Sequence, residues 1–229
     1  MPPRRRSYEA VVRAVERALS AAGVDHVFVG GLAVIAFGRR RTTEDVDVLV
    51  AFREADVPRL LSELRRRGFR VTDGDLLAAL VEGEHRTIDD TRSDYRVDLS
   101  SAATTSARHA LRYRVVIRPR GLELPVARPE HTIVMKLRFG SDQDIEDAMA
   151  IYLRQKDRID PGLLTRFAAR QRVLPALAAL RKEGVKVDRK VQDTEYGKFG
   201  WVTDPDGNRI ELWEPSKGNR APETAIPME

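Results

Sequence analysis

The sequence predicts an α/β (α+β) fold, followed by a helical C-terminal part and a small β-rich end. Three observations support this prediction. Short apolar, β-branched runs alternate with helical patterns up to about residue 128. Helical periodicity then continues to about residue 180, after which strand and turn signals return. With no cysteine in the chain, disulfides, thiolate metal sites and cysteine nucleophiles are excluded.

The first half of the chain alternates between predicted helices and strands. Apolar residues at helical spacing predict an amphipathic helix over residues 7–22, with Ser7 as its N-cap and Gly23 as its stop. A short strand at 24–29 leads into Gly30-Gly31 and then a short buried helix up to residue 38. The remaining elements expected in this half are strands at 46–51, 69–72, 95–99, 115–118 and 122–127, the last two forming a hairpin, and a helix at 57–67.

The second half is mainly helical until its last fifty residues. Helices are expected at 133–139, 145–153 and 163–180, with a break at Asp160-Pro161-Gly162 because proline favours a helix start. The turn residues 204–208 separate two short aromatic and β-branched runs, which predicts a β-hairpin. Residues 218–229 are expected to form a loose polar tail.

Charge divides the chain in two. Residues 1–181 are arginine-rich and carry a net charge of +7, whereas residues 182–229 use mainly lysine and carry −2. A change of sign and of basic residue type is typical of a join between two modules. No apolar run approaches the roughly 20 residues of a membrane-spanning helix, and the basic N-terminus lacks the apolar core of a signal peptide. We therefore expect a cytoplasmic protein that does not enter a membrane.

Two aspartates at the start of a strand are the strongest candidates for chemistry. Side chains alternate along a strand, so Asp45 and Asp47 project from the same face. Two carboxylates this close repel each other unless a proton or cation lies between them, and Mg²⁺ prefers oxygen ligands completed by substrate phosphates. Gly30 and Gly31 leave room for phosphates and present N–H groups at the start of a helix. Each motif alone is a weak signal, since a Gly-Gly pair more often marks an ordinary turn and an Asp-x-Asp motif a solvated strand end.

A third acid, Asp98, lies in the predicted strand 95–99 and is expected to join the pair. In a two-metal scheme it serves either as a metal ligand or as the base that accepts the hydroxyl proton. The four histidines, by contrast, have no spacing typical of a zinc site, and we expect each to be structural or on the surface. These are His26, His85, His109 and His131.

The order of these motifs resembles the DNA polymerase β-like nucleotidyltransferase superfamily, and most closely its bacterial abortive-infection and toxin–antitoxin type. The pattern of that type is matched by Gly38, Arg41, Thr43, Asp45 and Asp47, and the resemblance covers residues 7–170. It implies a mixed sheet flanked by helices, a core at 1–128 and a helical extension at 129–175. Gly31 departs from the serine that many active members of the superfamily carry at this position.

The resemblance also implies a set of nucleotide-binding residues and a reaction. Arg41, Thr43 and Lys136 would bind the nucleotide with the two glycines, and Asp45, Asp47 and Asp98 would hold two Mg²⁺ ions. On chemistry alone, an arginine in a run of three or a lysine on an amphipathic helix is as readily a solvated side chain. The implied enzyme transfers a nucleoside monophosphate from an NTP to a hydroxyl of RNA, such as a tRNA 3′ end, of a protein, or of a small molecule such as an antibiotic. It would be a toxin or phage-defence protein with a cognate antitoxin.

The segment 176–217 resembles the C-terminal end of the glyoxalase/bleomycin-resistance, or vicinal-oxygen-chelate, family. In that family the residue matching Glu211 often ligates a divalent metal. No histidine follows His131, so this segment alone does not complete such a site, and Glu211 is expected to be a vestigial ligand. We expect a partial module that packs as a small β-cap or pairs with a second copy of the chain in a homodimer.

Two alternatives to the transferase remain open at this point. One is a protein whose transferase site has decayed and which binds a nucleotide or a partner. The other is a glyoxalase/bleomycin-resistance-like protein that binds a metal or a drug through the C-terminal module.

Overall fold

The computed structural model describes residues 5–80, 85–182, 186–187, 192–194, 197–203 and 209–215. The chain divides into two compact units, Met1–Leu177 and Ala178–Glu229. The first combines a mixed sheet with helices and the second contains a small sheet, so the predicted fold class is confirmed.

The described strands of the first unit form one seven-stranded sheet in the order β3-β4-β5-β2-β1-β7-β6. The pairs β2–β5 and β1–β7 are parallel, and the other neighbours are antiparallel. The strands are β1 (Asp25–Phe28), β2 (Asp45–Ala51), β3 (Phe69–Arg70), β4 (His85–Asp90), β5 (Arg96–Ser101), β6 (Val115–Ile117) and β7 (Leu124–Val126).

The described helices are α1 (Tyr8–Ala22), α2 (Gly30–Phe37), α3 (Val57–Arg66), α4 (Asp73–Ala78), α5 (Thr105–Arg112), α6 (Pro129–Phe139), α7 (Asp142–Gln155), α8 (Pro161–Arg170) and α9 (Leu174–Lys182). Two short 3₁₀ turns are also present: Glu54–Asp56 lies between β2 and α3, and Pro119–Gly121 lies between β6 and β7. None of these helices is long and apolar enough to cross a membrane.

Helix α1 begins and ends where the sequence predicts. The Ser7 hydroxyl accepts a hydrogen bond from the N–H of Ala10 at 3.3 Å, and Gly23 ends the helix in the left-handed conformation. The apolar face of α1 packs with α3 onto one face of the sheet. Val46, Val48 and Val50 of β2 point into this core, so the alternate residues of β2, including both aspartates, face the other side.

Three elements of the first unit are absent from the predictions. β4 is polar, with only Ile88 and Asp90 buried, so it lacks the apolar alternation that signals a strand. The predicted strand at 69–72 ends at Arg70, and Thr72 instead caps α4 by accepting a hydrogen bond from the N–H of Asp75. Helix α5 is short, with Thr104 as its cap.

The predicted helix at 163–180 is two helices, α8 and α9. Arg172 adopts a left-handed backbone conformation (φ +59°) between them. Pro175 follows in the first turn of α9, where a proline is tolerated, whereas inside a continuous helix it would remove a hydrogen bond.

The second unit contains β8 (Lys186–Val187), β9 (Gln192–Thr194), β10 (Gly197–Thr203) and β11 (Arg209–Pro215). β10 pairs antiparallel with the other three. The pairing of Thr203 with Arg209 agrees with the predicted hairpin, although its turn (204–208) and the predicted tail (218–229) lie outside the described residues.

Candidate active site

A pocket of about 340 Å³ opens at the N-terminal end of α2. Residues of α2, β2, β5 and α6 form its walls. The sequence-predicted residues that line it are Gly30, Gly31, Arg41, Asp47, Asp98 and Lys136. The other two predicted residues of this site, Thr43 and Asp45, do not line the pocket but lie in the sequence between Arg41 and Asp47, which do.

The parallel pairing of β2 with β5 brings two of the carboxylates together. Asp47 lies directly opposite Asp98 in the register of these strands, and both side chains project from the face opposite the main core. The Asp98 carboxylate accepts a hydrogen bond from the Thr87 hydroxyl at 2.5 Å. Asp45 lies opposite Arg96, whose Nε donates to its carboxylate at 3.0 Å. Asp47 and Asp98 therefore face the pocket, while Asp45 is engaged by an arginine.

The electrostatics of Asp47 reflect this crowding of acids. Burial raises the pKa of Asp47, and the negative charges of Asp98 and Asp45 raise it further. The N–H of Gly31 donates to the Asp47 carboxylate and opposes this rise in pKa, as does the positive charge of Lys136. A cation bound between Asp47 and Asp98 would relieve their repulsion.

The donor chemistry of the pocket suits Mg²⁺. In the described part of the chain, no group of three or more histidine, aspartate or glutamate side chains is arranged to hold a metal ion. Mg²⁺ does not require such a group, because it is usually held by one or two carboxylates together with waters and substrate phosphates. Asp47 and Asp98 supply two carboxylates at one pocket wall, so these residues fit the ion.

The glycine turn is in close contact with Asp47. Gly30 has a φ of +55°, and a Cβ at this position would stand 2.0 Å from the Asp47 carboxylate oxygen Oδ2. A side chain at residue 30 would therefore be strained and would displace the carboxylate. The Gly31 N–H at the start of α2, which the sequence suggested for phosphate, lies close enough to the Asp47 carboxylate to lower its pKa.

Thr43 explains why residue 31 is a glycine. A Cβ on Gly31 would lie 2.7 Å from the Thr43 hydroxyl oxygen and 3.2 Å from a guanidinium nitrogen of Arg41. The Thr43 hydroxyl also donates to the carbonyl oxygen of Asp45 at 3.2 Å. In this chain a threonine hydroxyl thus occupies the space that a serine side chain at position 31 would need.

The two predicted phosphate-binding cations converge on a carboxylate that the sequence argument did not single out. Asp147 of α7 is fully buried, and its Oδ2 lies 2.7 Å from Nη1 of Arg41 and 3.2 Å from Nζ of Lys136. Arg39 donates from Nε to its other oxygen at 2.9 Å, and Lys136 also contacts Asp144. The Nε of Arg41 is buried without a hydrogen-bond partner among the described residues. The only available sequence signal for Asp147 was the acidic run after Lys136.

Two histidines lie closer to the pocket than the sequence predicts. His131, only 7 % exposed, lines both this pocket and a neighbouring cavity of about 170 Å³. His109 lines the second cavity and packs edge-on against Phe167. Burial lowers the pKa of each imidazole to about 4, so both rings are neutral at pH 7. His26, in contrast, is a structural residue, buried and bonded to Glu16 at 2.7 Å.

Glu211, the predicted vestigial metal ligand, lies in β11 opposite Trp201 of β10. Its side chain lies outside what the structure describes, so its role stays a prediction.

Two comparisons of sequence give different results. The family model described as Glyoxalase/Bleomycin resistance protein/Dioxygenase superfamily matches residues 76–212. This match covers residues 176–212 of the predicted glyoxalase-like segment (176–217) and extends toward the N-terminus as far as α4. No curated protein matches the sequence of the chain.

Solved structures similar to this chain include several nucleotidyltransferases. An antigenic nucleotidyltransferase-like protein from Paracoccidioides brasiliensis is 17% identical, with a TM-score of 0.48 over 76% of this chain and 91% of that one. The antibiotic-resistance factor ANT(2″)-Ia in complex with adenylyl-2″-tobramycin is 14% identical, with a TM-score of 0.48 over 72% of this chain and 98% of that one. Its solution structure gives 14% identity and a TM-score of 0.47 over 76% and 95%.

Proposed function

We propose that this chain, which belongs to the Glyoxalase/Bleomycin resistance protein/Dioxygenase superfamily, is a nucleotidyltransferase whose reaction takes place in the pocket at the start of α2. The reaction is the transfer of a nucleoside monophosphate from an NTP to a hydroxyl group. The observation that carries this proposal is the placement of Asp47 opposite Asp98 in one pocket wall, beside the Gly30-Gly31 turn.

The pocket has the parts that such a transfer needs. Asp47 and Asp98, with Asp45 once it is released from Arg96, would hold Mg²⁺. When bound, Mg²⁺ supplies charge stabilisation for the phosphates and for the developing negative charge. Arg41 and Lys136 line the same pocket and carry the positive charge that binds the triphosphate. The absence of side chains at Gly30 and Gly31 lets the Asp47 carboxylate and the Thr43 hydroxyl lie next to the start of α2.

The chemical step then has a defined role for Asp98. The acceptor hydroxyl oxygen forms a bond to the α-phosphorus of the NTP as the bond from that phosphorus to the β-phosphate oxygen breaks. Pyrophosphate leaves with the electron pair of the broken bond. Asp98 accepts the hydroxyl proton, since a carboxylate facing the pocket is a suitable general base.

The finer parts of the proposal concern the acceptor and the biological setting. The arginine-rich composition of residues 1–181 favours RNA, such as a tRNA 3′ end, over a protein hydroxyl. Transfer to RNA would make the protein a toxin of a toxin–antitoxin or phage-defence system, acting in the cytoplasm with a cognate antitoxin.

A labelling experiment tests the transfer. Purified protein is incubated with Mg²⁺, total RNA and each α-³²P-labelled NTP in turn, in parallel with Asp47→Asn and Asp98→Asn variants. Asp89→Asn is the matched control, because Asp89 is an exposed aspartate of the same sheet and does not line the pocket. Loss of several kcal/mol of charge stabilisation predicts a decrease of at least about 100-fold in both pocket variants, at tenfold per 1.36 kcal/mol.

The label identifies the acceptor class. Label in RNA or in protein that is lost in the pocket variants and kept in Asp89→Asn supports the transfer and names the acceptor. Absence of label with every NTP, from protein that is folded and binds NTP, refutes the transferase and favours a decayed nucleotide-binding protein.

The family match favours a second candidate function, metal or drug binding through the C-terminal module. Glu211 is the ligand this function would use. Stoichiometric Ni²⁺, Zn²⁺ or Fe²⁺ in purified protein, lost in Glu211→Ala and kept in Asp47→Asn, would support it. If the protein contains no such metal and the labelling still depends on Asp47, metal binding through Glu211 is refuted and the transferase is the remaining function.

A further inference from the structure

A second concave surface of the first unit, which we call the arginine cleft, lies away from the candidate active site. It has a volume of about 370 Å³ and is formed by α1, the C-terminal end of α3 and the turn between β4 and β5. Six arginines line it together with Ala10 and Ala14, and no carboxylate takes part in its lining. The arginines are Arg6, Arg13, Arg17, Arg66, Arg67 and Arg92.

The positive charge of the cleft is only partly balanced. Arg6 pairs with the buried Asp90 at 2.8 Å, and Arg13 pairs with Glu9 at 3.2 Å. Arg66 and Arg67 share the single carboxylate of Glu63. For Arg17 and Arg92, both exposed, no ion pair exists within the part of the chain that the structure describes.

This arrangement fits a ligand with several negative charges. Guanidinium groups that converge without enough carboxylates repel one another, and a bound polyanion removes that repulsion. Arginine also binds phosphate oxygens through two parallel N–H donors, which makes it the preferred residue for phosphate recognition. Ala10 and Ala14 lie between the arginines of α1, and their small side chains leave room for a phosphate to approach.

The length of the cleft favours a chain of phosphates over a single one. Arg17 lies seven residues after Ala10, the first residue of α1 in the lining, so this wall extends for about 10 Å at 1.5 Å per residue, and Arg6 lies before it in the chain. Arg66, Arg67 and Arg92 face it from other segments. We propose that the arginine cleft binds the phosphate backbone of a single nucleic-acid strand.

One end of the cleft is connected to β2 through Tyr8. Arg6 precedes Tyr8 by two residues, and the Tyr8 hydroxyl donates to the carbonyl oxygen of Asp45 at 3.3 Å. The chain segment that carries Arg6 is thereby tied to β2. That the bound nucleic-acid strand is the acceptor rests on the proposed function, whereas the binding itself does not.

Binding is tested without NTP and without Mg²⁺, so its result is independent of transferase activity. Fluorescence anisotropy measures the affinity of the full chain for a 5′-labelled 20-nucleotide RNA, and for the DNA of the same sequence, between 50 and 300 mM salt. Contacts to phosphates carry no sequence or sugar information, so both strands should bind with similar affinity. The test variant replaces three exposed or half-exposed arginines, Arg13→Gln, Arg17→Gln and Arg92→Gln, and should fold normally.

The matched control carries Arg108→Gln, Arg158→Gln and Arg166→Gln, the same loss of charge at exposed positions outside the cleft. Each lost contact to a single strand lowers the slope of log affinity against log salt by about 0.7. The cleft variant should therefore lose about 2 in slope and about 100-fold in affinity at 100 mM salt. The control should keep the slope of the unmodified protein.

Three results would overturn the proposal: equal weakening of the two triple variants, no strand binding at 50 mM salt, or displacement of the RNA by micromolar triphosphate, which would indicate a nucleotide site. If the cleft triple variant does not fold, the single reversal Arg17→Glu replaces it, and weaker binding with a lower salt slope is again required. If RNA binds but no nucleotide is transferred, the proposed transferase function is refuted, whereas the proposal that the arginine cleft binds a nucleic-acid strand stands.

Discussion

Replacing Gly30 with alanine should be more damaging than replacing another glycine of the same backbone conformation. Gly30 has a φ of +55°, and its added Cβ would lie 2.0 Å from Oδ2 of Asp47. Gly121 has a φ of +77°, and its added Cβ would meet nothing within 4 Å. Gly121→Ala therefore measures backbone strain alone, and the excess cost of Gly30→Ala measures the contact with Asp47.

The expected magnitudes follow from these two contributions. A left-handed conformation costs a residue with a Cβ about 1–2 kcal/mol. Crowding in a well-packed site adds about 1–3 kcal/mol, which applies to Gly30 only. The loss of unfolded-state entropy on replacing glycine is common to both variants and cancels in the comparison. Gly30→Ala should thus be less stable than Gly121→Ala by about 1–3 kcal/mol, or by about 2–12 °C in Tm.

Thermal and urea unfolding, followed by circular dichroism, provide the measurement. In an Asp47→Ala background the carboxylate is gone and only the Cβ of residue 47 remains, 3.1 Å from the added Cβ, so most of the excess cost of Gly30→Ala over Gly121→Ala should disappear. Equal stability of the two glycine variants in the unmodified protein would refute the close approach of Gly30 to Asp47. So would an excess cost at Gly30 that survives removal of the carboxylate in full.

Two further predictions concern buried ionisable groups. Asp147→Asn removes the buried negative charge that Arg39, Arg41 and Lys136 share. It should lower the free energy of unfolding, measured with urea, by about 3–5 kcal/mol. Glu146→Gln, whose side chain is 62 % exposed, should cost less than about 0.5 kcal/mol, and similar costs for both would contradict this account. His131, with its pKa lowered to about 4, takes up its proton more readily in the unfolded chain, where the pKa is about 6.5. Stability should fall as the pH drops from about 6.5 to about 4, by up to about 3 kcal/mol at 1.36 kcal/mol per pH unit, and His131→Leu should reduce this dependence. An unchanged pH dependence of the urea midpoint in His131→Leu would rule out His131 as its source.

Local patterns predicted the parts of the fold that local chemistry determines. The Ser7 cap, the Gly23 stop and the hairpin formed by β6 and β7 all depend on residues a few positions apart. β4 escaped prediction because its stability comes from pairing with β5 and β3, and pairing partners are not encoded in its own polar sequence. The break at Arg172 was missed although Pro175 signalled it, because the apolar periodicity continues across the turn.

The candidate site was predictable to the extent that it depends on alternation along strands. The sequence could place Asp45 and Asp47 on one face of β2, but only the register with β5 puts Asp98 opposite Asp47. The ion pair of Asp45 with Arg96 depends on the same register. Asp147 joins Arg41 from a distance of about a hundred residues, so no local pattern could pair them.

The closeness of Asp47 to the start of α2 would affect how the proposed nucleotide enters the pocket. The N-terminal end of α2 attracts anions, and the carboxylate of Asp47 already lies beside it. A phosphate arriving at the same helix end would meet this negative charge and that of Asp98, so the glycine N–H groups alone do not favour its binding. Positive charge must offset the two carboxylates, and Arg41 and Lys136 are themselves neutralised in part by Asp147. On the proposed function, nucleotide affinity in this pocket would therefore depend mainly on a cation held by Asp47 and Asp98.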